Sequence, residues 1–176
     1  FICIPSSIFY TASNGSYHSL FRYFRIISLE MISWTRPPEL FRKIYSSSLW
    51  KCCLKQNVLL SFDDGPGPHT DELLNLSQVY NIKFAFFILP KQAQKYPEIV
   101  RRIVKDGHIL GSHFSQHRHH IIDTKTPFLN SLNESVEKIE DISQNTIKYS
   151  RVPYGRLLPW QDGWINQVGN THVFWS

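Results

Sequence analysis

The sequence predicts an α/β fold built on a mainly parallel sheet. Short apolar runs close on turn residues, and stretches with helical spacing of apolar side chains separate them. The alternation recurs at distances suited to right-handed β-α-β units. The chain has 176 residues, 42% of them hydrophobic and 19% charged. That composition belongs to a folded domain, and the length suits one sizeable core better than two.

The elements follow in order. Phe1 to Glu30 is rich in Ser, Tyr and Phe without a period and is assigned no firm element; because the first residue is Phe and the only methionine is Met31, the expectation is that this stretch lies upstream of the natural start or belongs to a fragment. Trp34 to Trp50 reads as a lead-in, in which Pro37-Pro38 stops any preceding helix and Glu39 to Tyr45 can form a short one. The predicted division is an N-terminal segment, 1–56, and a regular domain, 57–176. Val58 to Phe62 is a buried strand closed by the turn signal Asp63-Asp64-Gly65-Pro66. Asp71 to Tyr80 is a helix, with Leu73, Leu74, Leu76 and Val79 as its apolar residues. Phe84 to Leu89 is a second strand, stopped by Pro90. Pro97 opens a helix whose apolar face is Ile99, Val100, Ile103 and Val104, with Gly107 at its end. His108 to Ser112 is a third strand. A long helix enters at Thr126-Pro127 and carries Phe128, Leu129, Leu132, Val136 and Ile139. Ile147 to Ser150, the helix Trp160 to Val168, and the strand Thr171 to Trp175 complete the series.

Charge and cysteines narrow the function classes. The net charge of +5 suits an anionic neighbour, but the basic residues are dispersed, and neither a basic stripe nor an aromatic platform motif supports nucleic-acid binding. Cys3, Cys52 and Cys53 form no C-x-x-C, and the vicinal pair would bridge only with strain, so reduced thiols are expected. No apolar stretch approaches the roughly 20 residues that span a bilayer, and the opening Phe1-Ile2-Cys3-Ile4-Pro5 lacks the basic leader of a signal peptide. The compartment is left open between the cytoplasm and the cell envelope.

Three polar clusters fall at the C-terminal ends of predicted strands, where parallel α/β arrays place functional residues. Asp63-Asp64-Gly65 puts two carboxylates on one turn beyond a strand, from which both can reach one cleft. Alone, such a segment is more often a plain turn. His113-Phe114-Ser115-Gln116-His117 spaces two imidazoles at i and i+4; on a helical turn these share a face and suit one metal, with a nearby carboxylate completing the set. The competing reading is a solvated histidine-rich loop, since Arg118, His119 and His120 follow; His119 and His120 are taken as surface residues. Arg151-Val152-Pro153-Tyr154-Gly155 offers a guanidinium for a carboxylate and a rigid turn that can aim a backbone N–H inward.

Taken together, the clusters resemble the NodB homology domain of the polysaccharide deacetylases, carbohydrate esterase family 4. Ser61-Phe62-Asp63-Asp64-Gly65-Pro66 is similar to that family's T-F-D-D-G-P, His113 to His117 to its H-[ST]-x-x-H with Phe114 in second place, and Arg151 to Gly155 to its R-x-P-[YF]-G. Ile82 to Phe87 parallels its I-K-A-T-F-F strand, and Gly107 to His113 its G-H-x-[IL]-G-[NS]-H run. The resemblance covers Asn57 to Ser176. It implies a distorted (β/α) barrel of mainly parallel strands and a metal-dependent hydrolase acting on linear amides. The substrates implied are N-acetylated glycans of chitin or peptidoglycan type. It further implies that Asp64, His113 and His117 bind a divalent metal, commonly zinc, that Asp63 is the general base, that Arg151 orients Asp63, and that the Tyr154 N–H holds the oxyanion.

The family's D-x-x-D-W motif and its late histidine, the acid for the leaving amine, have no counterpart before Ser176, and His172 lies on the wrong side of its strand to replace the latter. The expectation is therefore a C-terminally truncated domain that lacks the last strands and leaves a sheet edge unpaired. Its alternative function is that of an inactive remnant still able to bind metal.

Overall fold

The structure, a computed structural model, describes residues 2–3, 39–50 and 59–174, apart from the side chains of residues 2, 3 and 41. Cys52, Cys53, Trp34, Pro37-Pro38, Val58 and Trp175 lie outside these residues. Six strands pair in parallel and in chain order: β1 (Ile2–Cys3), β2 (Leu60–Gly65), β3 (Ala85–Ile88), β4 (Ile109–Ser112), β5 (Tyr149–Ser150) and β6 (Thr171–His172). The connections carry α2 (Thr70–Tyr80), α3 (Pro90–Lys95), α4 (Pro97–Lys105), α5 (Lys125–Ser143) and α6 (Pro159–Gln167), and α1 (Glu39–Ile44) precedes β2. The α/β fold with a parallel sheet is as the alternation predicts. No helix among the described residues is long and apolar enough to cross a membrane.

Two elements depart from the sequence reading. The N-terminal stretch, assigned no element, contributes β1, which pairs Ile2 with Leu60 and Cys3 with Ser61. An apolar run this short shows no period, so only pairing with β2 reveals it as a strand. Pro90 does more than stop β3: it occupies the first turn of α3, where its missing N–H costs nothing, and Ala93 of that helix is fully buried.

The two faces of the sheet differ in chemistry. Phe62, Phe84, Phe86, Ile88 and Leu110 face the helices and pack with Leu74 of α2, Ala93 of α3, Ile99, Val100 and Ile103 of α4, and Ile139 of α5. In α2 this buries Leu74 and leaves Leu76 and Val79, two of the helix's apolar residues, exposed. The opposite face is narrow and partly polar: Ala85, Phe87 and Val173 cluster there, and buried Ser61 and Asp63 alternate with Phe62 along β2. A Cβ at Gly111 would lie 2.7 Å from the Phe87 ring and 3.0 Å from the Tyr149 carbonyl, so only glycine lets that ring lie against β4.

The lead-in packs along the far edge of the sheet. Leu49 bridges Val173 in parallel, its N–H donating to the His172 carbonyl and its own carbonyl accepting from Phe174 N–H. Trp50 stacks on Phe174 at 3.9 Å, and Tyr45 meets the same ring edge-on. The outer side of β6 is thus met by the chain's own residues 45–50.

Two buried histidines tie elements together in their neutral form. His108 accepts the Phe84 N–H at Nδ1, and its Nε2 faces the Ser77 hydroxyl at 3.1 Å, joining α2 to β3. Burial, with Lys83 nearby, lowers its pKa. His172 is pushed down to about 3, chiefly by burial and then by Arg151 and His113. In the unfolded chain both return to about 6.5. Their contribution is therefore complete above that value and is lost as pH falls toward the folded pKa, because the unfolded state binds protons that the folded state refuses. The urea midpoint should fall steadily from about pH 7 to about pH 4, with a shallower slope in His172→Gln.

Candidate active site

The three clusters converge at the C-terminal ends of β2, β4 and β5, and each places its side chains through one residue with left-handed backbone. Asp64 has φ 65°, Phe114 φ 64° and Tyr154 φ 61°. The other non-glycine residues of this kind among those described, Asn81 and Gln144, are helix C-caps, where the conformation is usual. At strand ends it costs about 1–2 kcal/mol per residue and marks sites whose geometry the surroundings impose.

Asp64 shows what the conformation achieves. The Asp-Asp-Gly segment is not a turn beyond a strand, as the sequence suggested. It lies within β2, where the register to β3 shifts between Asp63 and Gly65. That irregularity breaks the alternation that would send adjacent side chains to opposite faces, so both carboxylates reach the same end of the sheet. Asp63 remains on the inner face, and Asp64 turns toward the histidines.

His113 and His117 are not on a helical turn either. The chain from His113 to His120 is irregular, and the left-handed Phe114 bends it so that the two imidazoles come together with ring centroids 5.4 Å apart. Phe114 itself points away from them. It is fully buried against Phe128 and His120, with its N–H on the Ser112 hydroxyl. His120 contradicts the surface reading: it is fully buried, with Nδ1 2.8 Å from Asp123, whose carboxylate Arg118 also grips at 2.9 and 2.8 Å. Gln161 of α6 donates to the His120 carbonyl at 2.9 Å. A short polar run carries no sign of this internal pairing, so the loop reads as solvated until its partners are seen. His119 is exposed, with its ring 4.1 Å from that of Tyr154.

The donor atoms of Asp64, His113 and His117 lie within 4.8 Å of one another. Asp64 Oδ1 is 3.6 Å from His113 Nε2 and 3.4 Å from His117 Nε2, yet it is buried without a hydrogen-bond donor. Two donors bound at ~2.1 Å to one tetrahedral zinc are about 3.4 Å apart, so these separations fit a shared cation better than a hydrogen bond. Burial lowers the pKa of His113, partly opposed by Asp63 and Asp64, and keeps its imidazole neutral as a ligand must be.

Beside this trio, Arg151 is the bulkiest fully buried side chain among the described residues. Its Nη1 donates to Asp63 Oδ1 at 2.8 Å and to Ser61 Oγ at 2.9 Å, its Nε donates to the Val173 carbonyl at 3.1 Å, and its guanidinium lies 4.0 Å over the Phe87 ring. Ser61, which the sequence reading named within its motif but gave no role, thus supplies the guanidinium with a hydroxyl acceptor; its signal was its place two residues before Asp63 on one strand face. Tyr154 sits in a short 3-10 turn, Pro153–Gly155, and packs its ring edge-on to His117 at 4.5 Å.

The profile of the polysaccharide deacetylase family matches residues 51–171. A peptidoglycan-N-acetylglucosamine deacetylase of Bacillus cereus is 32% identical over 123 residues, covering 69% of this chain and 45% of the relative. Chitin deacetylase 1 of Saccharomyces cerevisiae is 29% identical over 147 residues, 79% of this chain and 47% of its own length. The chain therefore spans a little under half of these relatives. Among solved structures, a peptidoglycan N-acetylglucosamine deacetylase in complex with 4-naphthalen-1-yl-N-oxidanyl-benzamide superposes with a TM-score of 0.72 at 29% identity, covering 80% of this chain and 66% of that one. A family 4 carbohydrate esterase from Bacillus anthracis, at 21% identity and a TM-score of 0.73 over 81% of this chain and 72% of its own, shows the same fold.

Arg151 and Asp63 form a buried ion pair, so removing one partner takes away the opposite charge that the other faces there. Arg151→Met should cost about 3–5 kcal/mol of folding stability, and adding Asp63→Asn should restore a large part of it. Urea denaturation of the two single variants and the double variant measures that coupling.

Proposed function

The chain belongs to the polysaccharide deacetylase family, and on that premise we propose that it carries the active site of a metal-dependent de-N-acetylase of N-acetylglucosamine-type glycans. The observation that carries the reading is the Asp64–His113–His117 trio set beside an Arg151-held Asp63 at neighbouring strand ends. Peptidoglycan and chitin deacetylases among the relatives support the substrate class.

Asp64, His113 and His117 would hold the ion, with zinc the choice that fits two imidazoles and a carboxylate. When bound, it would polarise the acetamide carbonyl and acidify a water molecule. Asp63 is the base for that water. Arg151 donates to one of its oxygens and fixes the plane of the carboxylate. The turn at Tyr154 would present its backbone N–H to the oxygen that gains charge as water adds to the carbonyl carbon. The C–N bond then breaks as the nitrogen takes up the proton that the water gave to Asp63, giving acetate and the sugar amine. The Tyr154 ring, half exposed and packed on His117, forms one wall of the cleft.

Two measurements test the reading. Zinc titration by calorimetry should give one site per chain, abolished by His113→Ala and by Asp64→Ala, with Asp63→Asn still binding. Acetate release from N-acetylglucosamine oligomers should fall by at least roughly 100-fold in Asp63→Asn. Zinc binding that survives loss of His113, or acetate release that survives loss of the Asp63 carboxylate, would sink the assignment.

A further inference from the structure

Val152 lies between the two residues of its loop that the proposed function uses, and its N–H needs an acceptor that the sheet does not supply. β5 ends at Ser150, whose carbonyl takes Val173 N–H, and the Val173 carbonyl takes Arg151 Nε. Val152 is fully buried, so an unpaired N–H there would be costly. The acceptor is a side chain: Nε2 of His172, at 3.2 Å.

That contact fixes the rest of a buried chain of hydrogen bonds. A backbone N–H can only donate, so His172 Nε2 carries the lone pair and Nδ1 carries the hydrogen. Nδ1 faces Ser48 Oγ at 3.2 Å, so the hydroxyl accepts there and gives its own hydrogen to Asp162 Oδ1 at 2.6 Å. The second Asp162 oxygen takes the Ser47 N–H at 3.3 Å. Phe174 stands edge-on to the imidazole at 4.3 Å and holds its plane. The chain thus links α6, the lead-in, β6 and the site loop, and every donor in it has one direction. Burial, with Arg151 and His113 close by, keeps the ring uncharged, as this pattern requires.

We propose that His172 is a positioning residue for the active site: its imidazole replaces the missing strand acceptor for Val152 N–H and so sets the backbone from Arg151 to Tyr154, while Ser48 and Asp162 lock the tautomer that can do this. The inference rests on the function proposed above for Arg151 and Tyr154, but the hydrogen-bond chain itself can be tested without activity.

Nitrogen-15 NMR of the imidazole should show the Nδ1–H tautomer of His172 unchanged across neutral pH, and an Nε2–H tautomer would overturn the proposal. In His172→Phe, amide exchange of Val152 should speed by roughly 100-fold or more while the β3 and β4 amides keep their protection; His172→Gln, whose carbonyl can accept the same N–H, should restore it. Equal loss across the whole sheet in both variants would reduce His172 to a packing residue. For acetate release by the full-length protein, His172→Phe should lower kcat by roughly 10- to 100-fold with KM and zinc affinity unchanged, and His172→Gln should recover most of it. An unchanged kcat in the Phe variant of an active protein would refute the positioning role. If the wild-type protein releases no acetate while Val152 still depends on His172, the function proposed above fails and the hydrogen-bond chain stands.

Discussion

A guanidinium fully enclosed by a protein is tolerable only if its charge and its donors are met, and in this chain the inner face of the sheet is arranged around that demand. Arg151 takes its carboxylate from β2, its hydroxyl from the same strand face, a carbonyl from beyond β6 and a ring face from β3. Each partner constrains a neighbour in turn. The ring can lie under the guanidinium only because position 111 of the adjacent strand is a glycine. Val173 can offer its carbonyl because Leu49 and Phe174 hold the chain beyond β6 in place. The alternation of β2 is kept as far as Asp63 and broken only after it.

Once Arg151 and Asp63 are fixed, the remaining problem is to bring Asp64 and two imidazoles beside them. Regular secondary structure cannot do this, because a strand sends adjacent residues apart and none of the three sits on a helix. The solution is the same at each strand end, a single residue in left-handed conformation. The tight packing behind these residues holds the strain. Phe114 is wedged against α5, and the ring of Tyr154 lies between the rings of His117 and His119.

Much of this was legible in the sequence. The strand-helix alternation gave the parallel sheet, and placement at strand ends picked out three polar clusters; the family resemblance then chose Asp63, Asp64, His113, His117, Arg151 and Tyr154 within them, which the structure brings to one end of the sheet. What sequence reasoning missed follows from non-local physics. The register shift in β2 depends on what β3 offers opposite it. The helical turn inferred for His113 to His117 came from spacing alone, whereas a left-handed residue produces the same proximity without a helix. The burial of His120 depends on Asp123 and on Gln161 of α6, some 40 positions away by the hydrogen bond that joins them. β1 has no internal pattern at all and is a strand only because β2 accepts it.

The inversion at position 114 has a consequence for what the loop tolerates. Because the left-handed bend turns Phe114 away from the imidazole pair while its neighbour His113 stays within it, the two positions answer to different physical constraints. His113 answers to the metal site proposed for it and should tolerate almost nothing. Position 114 is constrained by the volume left between α5 and the loop, so a change of side-chain size there calls for a matching change at Phe128 or His120.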